Sequence, residues 1–114
     1  MSKKLAKRTV NEVIKFLAKC LRDKGSNISK IIVFGSYAYG KATDESDIDV
    51  VIVSNDFKGK NIFERAELTK EAEIMTIKKF LISLDIITMT PEELEIGTSL
   101  ISDYAKNGKV LYAA

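Results

Sequence analysis

Residues 31–53 read IIVFGSYAYGKATDESDIDVVIV, and the fold turns on how this stretch alternates. An apolar run, Ile31 to Phe34, meets Gly35 and Ser36, passes a small polar segment, and resumes as Asp47-Ile48-Asp49 leading into Val50, Val51, Ile52 and Val53. The β-branched content predicts two strands, one from Lys30 to Phe34 and one from Asp47 to Val53. Side chains alternate across a strand, so Asp47 and Asp49 share one face while Ile48, Val50 and Ile52 take the other. The near-continuous Val and Ile content implies that the second strand is covered on both faces. Two carboxylates held that close either raise one pKa or take a cation between them. Hard oxygen ligands in this arrangement suit magnesium.

The link between the two strands carries its own signal. A glycine at a strand end lets the backbone approach a ligand closely, and Ser36 offers a hydroxyl and an amide to a phosphate. Tyr37, Ala38 and Tyr39 are expected to form a short helix closed by Gly40, with Lys41 to Ser46 as a polar connection.

N-terminal to this centre, Val10, Val13, Ile14, Leu17 and Leu21 follow helical spacing as one buried stripe, with Ser2 as cap and Lys24-Gly25 as stop. Lys4, Lys7, Arg8, Lys15, Lys19 and Arg22 form a basic face, read as solvated in preference to an RNA or acidic-partner surface. Residues 26–29 read as a loop, as do residues 54–60. Asn61 with Glu64 forms a capping-box pattern, and a helix should follow to Lys79, although its apolar periodicity is poor.

Phe80 to Met89, FLISLDIITM, reads as a third strand. Asp85 interrupts it. A carboxylate in so apolar a run is costly if buried alone, so it either reaches a solvent edge or shares a cation with other groups. Thr90-Pro91-Glu92-Glu93 is a strong helix start, and Gly97 ends or kinks that helix. A further short helix with Leu100, Ile101, Tyr104 and Ala105 should stop at Asn107-Gly108, with a last strand over Lys109 to Tyr112. The expected fold is α/β: a small mixed sheet of three to five strands with helices mainly on one face, Gly35, Ser36 and the three aspartates lining the open edge.

The 114 residues are expected to form a single domain, 1–114, and the 46% apolar and 30% charged content is that of an ordinary soluble protein. There is no histidine, which removes His-dependent triads, His-built zinc sites and His general bases. The lone Cys20 can make no internal disulfide and fits a reducing compartment. No stretch reaches the ~18 apolar residues of a membrane span, and Met-Ser-Lys-Lys lacks the apolar core of a signal peptide, so a cytoplasmic location is expected. A net charge of +2 is too small to argue for nucleic acid.

Residues 35–50, GSYAYGKATDESDIDV, resemble the signature of nucleotidyltransferases of the DNA polymerase β superfamily: Gly-Ser, a spacer, then Asp-x-Asp at a strand start. The Ser-Asp-Ile-Asp wording is similar to that of the minimal nucleotidyltransferases, antitoxin partners of HEPN-domain toxins. The likeness covers residues 28–90. It implies that Gly35 and Ser36 hold a nucleoside triphosphate, that Asp47 and Asp49 bind two magnesium ions, and that Asp85 completes the site and accepts a proton. Many members carry an arginine where this chain has Tyr39, and Lys41 is the cation that would substitute. The implied reaction moves a nucleoside monophosphate, AMP from ATP foremost, to a hydroxyl such as a tyrosine of a HEPN-type toxin. A chain this short leaves no room for the added domains that hold primer or tRNA, so direct nucleic-acid binding is not expected. The alternatives are a non-catalytic module that neutralises its partner by complex formation, and transfer to a small molecule such as an aminoglycoside.

Overall fold

The computed structural model describes residues 7–35, 47–97, 103 and 105–114. Helix α1 spans Lys7–Asp23 and strand β1 spans Ile28–Phe34. Strand β2, Ile48–Ser54, runs through a 3-10 turn at Asn55–Phe57 into helix α2, Ile62–Phe80. Strand β3, Leu84–Met89, helix α3, Pro91–Ile96, and strand β4, Lys109–Ala113, follow among the described residues. The strands form one mixed sheet in the order β3-β2-β1-β4, with β1 antiparallel to both β2 and β4 and β2 parallel to β3.

The two faces of the sheet carry separate cores. On one, Val13, Ile14, Leu17 and Leu21 of α1 pack with Ile31, Val33, Ile48, Val50, Ile52 and Ala72. On the other, Ile32, Val51, Val53, Met89 and Ala105 pack together, with Phe34, Ile87 and Leu94 against them. Residues 50–53 are accordingly all buried, because alternate side chains enter opposite cores. Both long helices lie on the first face, and short α3 belongs to the second.

The helix ends follow their sequence signals. Asn61 and Glu64 form a reciprocal capping box, as do Thr90 and Glu93 with Pro91 at the first position. Gly97 ends α3 in the left-handed region at φ 63°. The expected cap at Ser2, the short helix at residues 37–39 and most of the helix around Tyr104 lie outside the described residues; Ala105 and Lys106 are helical.

Several boundaries differ from expectation, β2 running Ile48–Ser54 and β4 ending at Ala113 among them. Strand β1 begins at Ile28, because the Ile28 side chain is buried in the first core. The run expected as a strand from Phe80 divides: Phe80 remains in α2, its ring packed edge-on against Phe16 at 5.7 Å, and the chain turns at Leu81, φ 55°, before β3. Helix α2 also explains its own weak periodicity. It buries the small residues Thr69, Ala72 and Thr76 and exposes Ile62, Phe63, Ile74 and Met75.

Candidate functional site

The parallel register of β2 and β3 sets Asp49 directly opposite Asp85, and pleating puts both side chains on the face shared by Val51, Val53, Ile87 and Met89. Asp49 is half-buried and Asp85 exposed at the sheet's edge strand. Burial first, then the charges of Asp85 and Asp47, and finally a hydrogen bond to Asp85 push the Asp49 carboxyl above the ordinary carboxylate range.

Asp47 stands exposed immediately before β2, while the Ile48 amide donates to the Ser83 carbonyl at 3.0 Å and closes the start of the β2–β3 ladder. Gly35 follows the end of β1, where Phe34 pairs with Asp49. At φ 71° it occupies the left-handed region, and a Cβ there would overlap the Asp49 carboxylate. Gly35, Asp47, Asp49 and Asp85 thus gather at one end of three adjacent strands. Ser36 and Lys41 lie outside the described residues.

A fourth carboxylate joins this end of the sheet. Glu73 of α2 is half-buried, and its pKa is raised by burial and then by the charge of Asp85. The sequence signal for it was indirect: it falls among Thr69, Ala72 and Thr76, the inward stripe of α2, where an acid stands out once that stripe is known. Glu73 and Asp85 both line an open groove of about 410 Å³ between α2 and β3, together with Ile62, Ala66, Thr69 and Ile86.

The donor set fits a hard dication. Among the described residues no three acidic, cysteine or histidine side chains stand in a ready-made ion cage. Magnesium, however, is commonly held by one or two carboxylates, with water and substrate phosphates supplying the rest, and two facing carboxyls on neighbouring strands offer a cation a shared place.

The family model described as nucleotidyltransferase domain matches residues 14–112. The chain belongs to that family. Its character as a nucleotidyl-transferring enzyme follows from this match and the relatives below. Two relatives from Methanocaldococcus jannaschii are provisionally named protein adenylyltransferases. One is 27% identical over 98% of this chain and 75% of its own length, the other 34% identical over 69% and 74%. In fold the nucleotidyltransferase is similar to one from Sulfolobus solfataricus, with a TM-score of 0.62 at 21% identity over 94% of this chain and 79% of that one. It is also similar to a toxin–antitoxin structure determined with AMP-PNP, with a TM-score of 0.63 at 22% identity over 91% and 73%. Among the described residues no helix is long and apolar enough to cross a membrane.

Proposed function

We propose that this nucleotidyltransferase transfers AMP from ATP, with magnesium, to a protein hydroxyl, and that the acceptor is a tyrosine of a HEPN-type toxin partner. The observation that carries the reading is the Asp49–Asp85 carboxyl pair, closed against the Gly35 backbone at the mouth of the β2–β3 ladder. The names of the Methanocaldococcus relatives support protein as acceptor, and the AMP-PNP-bound toxin–antitoxin neighbour supports ATP and a toxin.

In this reading Asp47, Asp49 and Asp85 hold the magnesium, two ions when fully loaded. Gly35 and Ser36 present backbone and hydroxyl to the triphosphate, and Lys41 supplies the positive charge that the Tyr39 position lacks. Bound magnesium neutralises the triphosphate and the charge that develops on it. The acceptor oxygen forms a bond to the α-phosphorus as the bond to the pyrophosphate oxygen breaks. Asp85, at the exposed edge, takes the hydroxyl proton. Such transfer depends chiefly on positioning and charge, so a chain without histidine can perform it.

A thermal-shift titration with magnesium and each of the four ribonucleoside triphosphates tests the reading. ATP at ~100 times its dissociation constant should stabilise the protein by about 2.7 kcal/mol, and Asp47→Asn/Asp49→Asn should abolish the shift. A folded protein that shifts with no nucleotide would favour the binding module instead.

A further inference from the structure

Strand β3 ends the sheet, and its outer edge makes no backbone hydrogen bond to any described residue. Because the Ile48 amide donates to Ser83 in a parallel ladder, alternation turns the backbone groups of Leu84, Ile86 and Thr88 away from β2, toward that open edge. An unpaired edge of this kind is a template for one more strand. The groove between α2 and β3 runs beside it, spanning Leu84 to Thr88, roughly 16 Å of extended chain.

The lining is polarised. Ile62, 73% exposed, lies at the start of α2 with Phe63, 76% exposed, beside it, and makes one end apolar. Glu73 and Asp85 make the other end acidic. No described cation pairs with Glu73; its charged neighbour is another acid. A half-buried carboxylate in that setting is complemented by a positive side chain from the occupant. The acidic end is also where the acceptor hydroxyl must arrive, since Asp85 belongs to both groove and carboxyl pair.

We propose that the acceptor polypeptide binds as an added strand along the outer edge of β3, with a lysine or arginine beside the modified tyrosine held by Glu73. This rests on the protein-hydroxyl reading above and adds to it the docking mode and the selecting residue. Main-chain pairing to Leu84, Ile86 and Thr88 would supply register, and the apolar end near Ile62 would take a non-polar side chain.

The test is a peptide library with tyrosine fixed at the centre and the flanking positions randomised, incubated with the enzyme, magnesium and ATP, the AMP-bearing peptides then being sequenced. Lysine or arginine should be enriched about tenfold at one position near the tyrosine, and proline depleted at alternate positions. Glu73→Lys should move the enrichment to aspartate or glutamate, and Glu73→Gln, which leaves the shape intact, should flatten it. A selected peptide should slow amide exchange at Leu84, Ile86 and Thr88, and its copy N-methylated at alternate positions should not. Absence of charge enrichment, or equal use of the N-methylated copy, overturns the proposal while the ATP thermal shift remains; loss of that shift in the wild type overturns the reading beneath it.

Discussion

The space that a side chain on Gly35 would need is already taken by the Asp49 carboxylate. The glycine is therefore fixed twice, by its left-handed backbone and by a functional group on the neighbouring strand.

Gly35→Ala separates these two demands. The backbone penalty is roughly 1–2 kcal/mol, visible as a lower Tm. The carboxylate must also move, and a displacement near 1 Å at a reacting centre costs about 10²-fold in rate. The expected result is a folded, modestly destabilised protein whose AMP transfer falls far more than its stability, measured by thermal melting and by incorporation of labelled AMP.

Asp49→Asn should set stability against activity. The Asp49 carboxyl titrates above its unfolded value, so its contribution is fully present below the unfolded pKa and is lost as pH rises through the folded one. The magnesium-free wild type should lose stability over that window relative to the variant, which will melt higher at neutral pH. Magnesium should narrow the difference by stabilising only the wild type. Transfer by the variant should fall by several kcal/mol of barrier, on the order of 10³-fold.

Glu93 carries the opposite sign. Arg65 reaches it through two bonds, 2.8 and 2.9 Å, and its carboxylate also accepts from the Thr90 amide at 2.9 Å. The Arg65 guanidinium holds its pKa below the usual range, so its contribution is present above the unfolded pKa and fades as pH falls through the folded one. Glu93→Gln keeps an acceptor for the Thr90 amide and removes the ion pair, and should cost up to about 1 kcal/mol, the worth of a partly screened pair. Denaturant melts at pH 7 and pH 4 will check it: the gap between wild type and variant should shrink at the lower pH.

Cys20, 4% exposed in the first core, has its thiol pKa raised, mainly by burial. It should react with a thiol reagent only when the protein opens. Labelling that tracks the unfolded fraction across a denaturant series is the expected outcome, and rapid labelling of the native protein would contradict the packing of α1.

Most of the architecture was legible because one principle governed each part of it. The strands showed as β-branched runs, the starts of α2 and α3 as capping boxes, and the α1 core stripe as a 3.6-residue period. The failures have physical causes. Phe80 ranks as a good strand residue, but its contact with Phe16 keeps it in the helix. Glu73 was invisible because α2 buries threonine and alanine where a helix usually buries leucine, so the inward stripe could not be drawn before the packing was known. The three aspartates were readable as residues of interest, whereas the facing of Asp49 and Asp85 depends on a parallel register that no local pattern encodes.

That register spans a long contour of chain: Asp49 and Asp85 are 36 positions apart (85 − 49), and the second hangs on a strand that, among the described residues, is paired along one side only. Edge strands are among the first parts of a sheet to fray in sub-global openings. Peeling β3 away would part the two carboxyls while β1, β2 and β4 stayed joined. On the proposed function, excursions too small to register as unfolding would disarm the site, and whatever clasps the β3 edge from outside would re-arm it in the same act.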